Sequence, residues 1–176
     1  MSLYLIIDGY NLIRQSAELL QYEKKDLTLG REMLLKKLLT YQRLKKHAIT
    51  VVFDGWHEGH FSEGHDRVGS IKVIFSRRGE KADEVIKRLA SQKKGETVVV
   101  TSDRVLGYSC YQKGCEVIPA TEFLAKMELA AYIEQKGKIE EDENTPYQKQ
   151  KGTKKKGPSR RLPRSQRRHH AVLKKL

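Results

Sequence analysis

Short apolar runs alternate with amphipathic helical segments along most of the chain, and this alternation limits the possible folds more than any other feature. Each run is rich in Ile, Val or Leu and closes on a polar turn. Strands that alternate with helices are typical of a parallel sheet covered on both faces. The sequence therefore predicts a three-layer α/β/α sandwich with a mainly parallel sheet of about five strands. The predicted strands lie at residues 4–8, 48–53, 69–75, 96–101 and 115–118.

The predicted helices fill most of the gaps between these strands. Residues 11–22 can hold a short helix, and Thr28 and Thr121 are candidate N-caps for two longer ones. The second and third strands lack a clear helix between them, because residues 57–69 are polar and rich in Gly, which predicts a loop. The longer predicted helices lie at residues 29–46, 81–93, 105–112 and 122–135.

The positive charge is concentrated at the C-terminal end. Of the net charge of +13, residues 144–176 carry +12, since they contain 12 Lys and Arg and no acid. The loss of apolar periodicity predicts a folded domain at residues 1–138, then an acidic hinge and basic disordered tail at residues 139–176. Residues 165–176 are expected to become helical only on a partner. Such a tail binds nucleic acid by displacing counterions, although a solubilising arm or an arm for an acidic protein is an alternative.

Cysteine content and hydropathy exclude several classes of protein. Cys110 and Cys115 are too few for a disulfide framework or a structural zinc site. No apolar run approaches the roughly 20 residues that a membrane span needs, and the chain does not start like a signal peptide. We therefore expect reduced thiols in a cytoplasmic protein with no membrane partner.

Four carboxylates follow the predicted strands at one edge of the sheet. Asp8, Asp54 and Asp103 close three strands, and Asp83 opens the helix after another. The C-terminal strand ends of a parallel sheet lie together, so these acids can converge there. Carboxylates that converge repel one another, so a cation should offset their charge. Hard cations such as Mg²⁺ or Mn²⁺ prefer oxygen ligands of this kind. Asn11 adds an amide that can hold an acid or a metal-bound water.

Each acid also has a purely structural interpretation. Asp8 and Asp54 both precede Gly and could be turn residues. Asp103 could be the N-cap of the next helix, and Asp83 could complement a helix dipole. Four such coincidences at one edge are less probable than any one of them, so the set favours a metal-dependent phosphodiester site.

Polar and basic residues beside these acids are candidates for substrate binding. Ser102 supplies a hydroxyl and Arg104 a cation for phosphate. Arg77, Arg78 and Lys81 precede Asp83 in the chain and could hold phosphates near the metals, although a solvated turn explains them equally well.

Aromatic residues near the same edge could stack on unpaired bases. Trp56 follows Asp54 and Tyr10 follows Asp8, but both could instead pack within their own segments. The loop after Trp56 contains His57, His60 and His65, whose spacing matches no helix-borne zinc motif. We interpret it as a polar loop that borders the active edge.

Four short motifs in this order resemble the YacP-like branch of the NYN domain, whose members are PIN-like ribonucleases. They are DGYN at residues 8–11, FDG at 53–55, GEKADE at 79–84 and TSD at 101–103. The resemblance covers about residues 3–123 and implies a PIN-like fold with Mg²⁺- or Mn²⁺-dependent endonucleolytic cleavage of RNA. It also implies action on mRNA or rRNA in association with the ribosome. The basic tail does not match the C-terminal portion expected of that family.

The resemblance assigns the acidic positions to Asp8, Asp83 and Asp103, with Asn11 and Asp54 in support. Metal-activated water would then attack the phosphodiester in line and leave 5′-phosphate and 3′-hydroxyl ends. The alternative is a non-catalytic RNA-binding or ribosome-associated module that uses the basic tail. An Asp-nucleophile phosphatase is disfavoured because Tyr10 stands where a second Asp is usual, and a Rossmann-type binder because no Gly-rich loop follows the first strand.

Overall fold

A computed structural model describes residues 2–55, 64–92, 96–142 and 163–176 and contains a mainly parallel sheet. The strand order is β3-β4-β2-β1-β5-β6, and every neighbouring pair is parallel except β3 with β4. This arrangement confirms the predicted mainly parallel α/β sheet. The strands are β1 (Tyr4–Asp8), β2 (Ala48–Phe53), β3 (Gly64–Val68), β4 (Ile71–Phe75), β5 (Thr97–Val100) and β6 (Glu116–Ile118).

The described residues form seven helices, and those between β1 and β2, between β4 and β5 and between β5 and β6 provide crossovers that parallel strands require. None of these helices is long and apolar enough to cross a membrane. The helices are α1 (Gly9–Gln15), α2 (Ala17–Lys25), α3 (Leu27–Lys45), α4 (Ala82–Gln92), α5 (Arg104–Gln112), α6 (Ala120–Asp142) and α7 (Arg164–Lys175).

The core consists of two clusters, one on each face of the sheet. Adjacent residues of β1 show the division, because Leu5 and Ile7 belong to one cluster and Ile6 to the other. This alternation follows from the two-residue period of a strand. Helices α1, α2, α3, α6 and α7 contribute to the first cluster, and α4 and α5 contribute to the second. The central strands are therefore buried on both faces, as their continuous apolar runs predict.

Strand β3 corrects the prediction of a loop over residues 57–69. It pairs antiparallel with β4 through a turn at Gly69 and Ser70, where Gly69 has a φ of 60°. Its three middle residues are exposed, so it has no apolar alternation from which a strand could be predicted. A polar outer strand of this kind also protects the edge of a sheet against pairing with other chains.

Two helix starts differ from the prediction because other residues provide the caps. Asp26, and not Thr28, is the N-cap of α3, and its Oδ1 accepts a hydrogen bond of 2.9 Å from Leu29 N. Thr121 lies inside α6, which begins one residue earlier and extends past residue 138. Ser16 ends α1 and caps α2, so the predicted short helix is two helices.

Helix α7 corrects the expectation that residues 165–176 order only on a partner. Val172 and Leu176 are buried in the first cluster, and Tyr41 Oη donates a hydrogen bond of 3.2 Å to Leu176 O. Lys175 forms an ion pair of 2.5 Å with Glu96. The end of the basic segment is thus part of the folded domain, while the predicted disorder of residues 143–162 lies outside the described residues.

Candidate active site

The strand order places three of the predicted acids beside one another. Strand β1 lies between β2 and β5, and all three run in the same direction. Asp8 ends β1, Asp54 follows β2, and Asp103 follows β5. Asp83 lies in the first turn of α4, which follows the parallel strand β4. The four acids therefore come to the C-terminal edge of the sheet, where open α/β folds bind ligands.

Asp8 is the most buried acid of this group, with 9% of its surface exposed. Its Oδ1 accepts a hydrogen bond from Asn11 N (3.3 Å), and its Oδ2 accepts one from Thr101 Oγ1 (3.2 Å). Burial, together with the negative charges of Asp83 and Asp54, raises the pKa of Asp8 to about 6 against the lowering effect of the hydrogen bonds. Its ionised form is therefore poorly compensated by the protein.

Asp83 experiences the same electrostatic conflict. Partial burial raises its pKa, and so do the charges of Asp103 and Asp54, while Lys87 and Lys81 oppose the increase. The charges of Asp54 and Asp103 thus act on Asp83, as those of Asp54 and Asp83 act on Asp8. A cation at this edge would relieve the repulsion.

Asp54 and Asp103 both have capping roles. Asp54 Oδ1 accepts a hydrogen bond of 2.6 Å from Ala82 N at the start of α4. Asp103 is the N-cap of α5, since its Oδ1 accepts hydrogen bonds from Val105 N (2.8 Å) and Leu106 N (2.9 Å). The structural interpretation of Asp103 is therefore correct, and it does not compete with a ligand role, because each cap engages one carboxylate oxygen.

Asn11 and Ser102 connect the elements around the acids. Asn11 Oδ1 accepts a hydrogen bond of 2.8 Å from Ser102 N, and this contact joins α1 to the end of β5. Ser102 Oγ accepts one of 3.1 Å from Ala120 N at the start of α6. The side-chain oxygens of both residues thus hold backbone in place, and the Ser102 hydroxyl keeps its own hydrogen for donation.

Thr101 and Ser76 are site residues that the sequence did not single out. Thr101 Oγ1 donates to Asp8 and accepts a hydrogen bond of 3.1 Å from Asp103 N, so it links two of the acids. Ser76 is fully buried, and its Oγ accepts a hydrogen bond of 3.1 Å from Gly55 N in the turn after Asp54. Thr101 belongs to the TSD motif and could have been identified there, whereas Ser76 has no sequence signal.

The predicted substrate-binding residues occupy different environments. Arg77 pairs with Glu80 at 3.5 Å in the turn between β4 and α4, where Arg78 and Lys81 are exposed. Arg104 is the exposed first residue of α5, next to Asp103. All four lie in segments that leave the same edge of the sheet as the acids.

Of the two aromatic residues predicted to stack on bases, the structure describes Tyr10 but not Trp56. Tyr10 is buried, accepts a hydrogen bond of 3.3 Å from Arg31 Nη1, and packs edge-on against Phe53 at 5.1 Å, so the idea that it stacks on bases is wrong. Trp56, His57 and His60 lie outside the described residues.

The chemistry of the four acids suits a divalent cation better than their positions in the described structure do. The donors are carboxylate oxygens, and the pKa values of Asp8 and Asp83 are raised, which suits a hard cation. Among the residues that the structure describes, however, no three His, Cys, Asp or Glu side chains form a group that could hold a metal ion.

Similarity to known proteins agrees with this fold. The protein YacP of Bacillus subtilis (strain 168), described as uncharacterized, is 28% identical over 130 residues, which cover 70% of this chain and 74% of that protein. A crystal structure of a Rae1 (YacP) mutant from Bacillus subtilis superimposes with a TM-score of 0.70 at 24% identity, covering 82% of this chain and 86% of that one. A second Rae1 (YacP) structure gives 0.63 at 30% identity, covering 81% and 83%.

The sequence model of the YacP-like NYN domain matches residues 5–171, which includes the basic segment and most of α7. The expectation that the C-terminal portion departs from the family is therefore wrong. The YacP-like NYN domain points to the family of PIN-like nucleases. Because the match spans nearly the whole sequence, this chain belongs to the YacP-like NYN domain family.

Proposed function

We propose that this protein is a metal-dependent endoribonuclease that hydrolyses RNA phosphodiester bonds. The observation that carries the proposal is the convergence of Asp8, Asp54, Asp83 and Asp103 at one sheet edge, with the pKa values of Asp8 and Asp83 raised by burial and by their neighbours. A protein that keeps repelling carboxylates together gains from a cation there, and phosphodiester hydrolysis is a reaction that bound cations catalyse.

In this proposal Asp8, Asp83 and Asp103 hold one or two Mg²⁺ or Mn²⁺ ions, and Asp54 supports them. The bound cation would supply an activated water and neutralise charge on the scissile phosphate. Asn11 fixes the end of β5 through Ser102 N, and Thr101 orients the carboxylate of Asp8.

The exposed cations near the acids provide the contacts to phosphate. Arg104 starts α5 beside Asp103, while Arg78 and Lys81 lie in the turn before Asp83. Arg77 and Arg88 both form ion pairs with Glu80, so Arg77 would contact phosphate while paired with that carboxylate. The proposed substrate is mRNA or rRNA in the cytoplasm, including RNA on the ribosome, on the basis of the family resemblance alone.

Asp103 allows a specific test of the nuclease proposal, because Asp26 is also a helix N-cap but caps α3 and is not among the four acids. Asn is as good an N-cap as Asp, so Asp103→Asn and Asp26→Asn should both keep their helices. Labelled single-stranded RNA is incubated with each variant in Mn²⁺ or in EDTA. Wild type and Asp26→Asn should cut in Mn²⁺ only, while Asp103→Asn and Asp8→Asn should lose at least about 100-fold in rate.

Intact RNA in Mn²⁺, or equal cleavage by Asp8→Asn and wild type, would reject the nuclease proposal. Tight RNA binding without cleavage would instead support a non-catalytic RNA-binding module. The charge of +12 on residues 144–176 is the observation that favours this second candidate. Products with 5′-phosphate and 3′-hydroxyl ends would support attack by water, whereas 2′,3′-cyclic phosphate ends would exclude it.

A further inference from the structure

Helix α5 exposes a row of large side chains that begins at the C-terminal edge of the sheet, where the four acids lie. We call this edge the catalytic edge. Val105, Tyr108 and Tyr111 are 77%, 67% and 54% exposed. Residues three apart on a helix are neighbours, so these three lie along one face. Asp103 caps the start of that face, and Leu106 and Cys110 bury the opposite face in the core. The tyrosines are therefore not needed to attach α5 to the sheet.

The row leads from the acids toward α7. Helix α5 has nine residues and so is about 13 Å long, which separates Tyr111 from Asp103 by three turns at most. At its far end, Tyr111 lines a groove between α5 and α7. We call this the α5–α7 groove and define it by Tyr111, Glu116, Val117, Gln166, Arg168, His169 and His170. It has a volume of about 620 Å³.

The wall that α7 contributes to this groove is held in a defined position. Arg168 Nη2 donates a hydrogen bond of 2.9 Å to Gly114 O, and its Nε lies 3.7 Å from Glu116 Oε2. His169 Nδ1 lies 2.9 Å from Glu116 Oε1. These contacts fasten α7 against the loop before β6, beside Tyr111.

The excess of positive charge beside the groove comes from helix α7. Helix α7 contains five Lys and Arg residues and no acid. Among the described residues that define the groove, Glu116 is the one acid, and Arg168 and His169 both contact it. A basic helix beside exposed aromatic rings is a combination that binds single-stranded nucleic acid, because phosphates follow the cations while bases stack on the rings.

We propose that single-stranded RNA extends from the catalytic edge along Tyr108 and Tyr111 into the α5–α7 groove. The inference rests on the proposed function, since it makes the groove the continuation of the cleavage site. Tyr108 and Tyr111 stack on unpaired bases, and the cations of α7 contact the phosphates. The proposal identifies the substrate as unpaired RNA, since bases within a duplex cannot reach the tyrosine rings.

Tyr132 provides a matched control because it is a similarly exposed tyrosine in a different setting. It is 61% exposed on α6 and lines a groove away from α7, in which Glu128 and Glu134 balance the charges of Lys37 and Arg43. Binding of a labelled single-stranded RNA of about 10 nucleotides is measured by fluorescence anisotropy in EDTA, with Asp8→Asn present in every variant. Tyr108→Ala and Tyr111→Ala should each weaken binding about 5- to 10-fold, and Tyr132→Ala should leave it unchanged.

Arg168 and Arg43 form a second matched pair, since each is an exposed arginine in an ion pair with a glutamate. Arg168→Gln should lower the slope of log Kd against log salt by about 0.7 for each phosphate that the protein no longer neutralises, and Arg43→Gln should not. A duplex RNA of equal length should bind the tyrosine variants and their parent equally. Equal binding of single strands by Tyr108→Ala, Tyr111→Ala and Tyr132→Ala would overturn the proposal.

The readout separates this inference from the proposed nuclease activity. Binding is measured without metal and without cleavage, so a protein that never cuts RNA can still show the tyrosine dependence. Conversely, if wild type cuts RNA but the tyrosine substitutions change neither binding nor rate, the route is wrong and the nuclease proposal stands. Thermal unfolding of each tyrosine variant should match that of its parent, because the substituted rings are exposed.

Discussion

The carboxylate of Asp8 is subject to two opposing effects on its ionisation. Its hydrogen bonds from Asn11 N and Thr101 Oγ1 favour the ionised form, but burial and the nearby acids outweigh them and raise its pKa to about 6. Positions of this kind are common at functional sites, because the environment that perturbs a group also prepares it to hold a ligand or a proton.

The raised pKa of Asp8 predicts that the metal-free protein loses stability as pH rises from about 4 to 6. Over that range the folded state binds more protons than the unfolded state, so the free energy of unfolding falls with pH. Asp8→Asn removes the effect and should be more stable than wild type above pH 6, by about 2–3 kcal/mol. Urea unfolding in EDTA at pH 4 and 7.5 measures the difference, which should nearly vanish at pH 4.

Asp26 provides a control of opposite sign. The hydrogen bond from Leu29 N lowers its pKa, so its ionised form stabilises the fold and Asp26→Asn should not gain stability at neutral pH. A gain at pH 7.5 that is equal in both variants would show that loss of charge in general, and not the setting of Asp8, is responsible.

Gly55 is required by a close approach between two turns. A Cβ atom at this position would lie 2.0 Å from Ser76 O, a backbone atom that cannot rotate away. Gly55→Ala should therefore lower the free energy of unfolding by about 1–3 kcal/mol and displace Asp54 next to it. Gly64→Ala is the control, since its nearest contact would be an ordinary 3.4 Å from Phe75 Cβ. Equal urea midpoints for the two variants would contradict the prediction.

At the scale of elements, α7 joins the C-terminal segment to the core. His47 links it to the sheet, since Nδ1 accepts a hydrogen bond of 3.3 Å from Leu3 N and Nε2 therefore donates to Lys175 O at 3.1 Å. Burial lowers the pKa of His47, so protonation opposes this arrangement. The same helix forms one wall of the α5–α7 groove, which couples the stability of the fold to the proposed RNA site.

Ending the chain after residue 162 should destabilise the whole domain. The truncation removes Val172 and Leu176 from the core, and each buried apolar side chain contributes about 1.5–3 kcal/mol. We expect a decrease of about 3–6 kcal/mol in the free energy of unfolding, measured in urea. Leu129→Ala, which alters an exposed side chain on α6, should change stability little. A truncated chain as stable as the full one would mean that α7 does not dock in solution.

This docking changes how the basic segment must be tested. Deleting residues 144–176 would remove RNA-binding charge and a core helix together, so weaker binding would have two causes. Charge substitutions that leave the chain length unchanged separate them.

For the whole molecule, the uneven charge predicts separate contributions to RNA affinity. Residues 1–143 carry a net charge of +1 and residues 144–176 carry +12. Replacing Lys154, Lys155 and Lys156 by Gln should lower the salt dependence of RNA binding, by about 0.7 in slope for each phosphate that is no longer neutralised. Cleavage of saturating short RNA in a single turnover should remain within about twofold of wild type. A large decrease in that rate would place these lysines in the catalytic step.

Local pattern alone predicted most of the sheet and the acids at its edge. Apolar runs such as residues 4–7 and 97–100 are buried on both faces, so their composition reveals strands without knowledge of their partners. Parallel direction then brings their C-terminal ends together. Strand β3 was missed because its exposed middle residues have no such pattern, and it exists only through pairing with β4.

The sequence by itself determined the parallel α/β architecture, the acids that follow its strands and the concentration of charge at the C-terminal end. Only the tertiary structure decided that Asn11 reaches Ser102, 91 residues away, and that Asp54 caps α4 from 28 residues away. It also decided that α7 packs on the core and completes a groove with α5. These features depend on which distant surfaces meet, and the periodicity of one segment specifies the face it buries but not the partner that covers it.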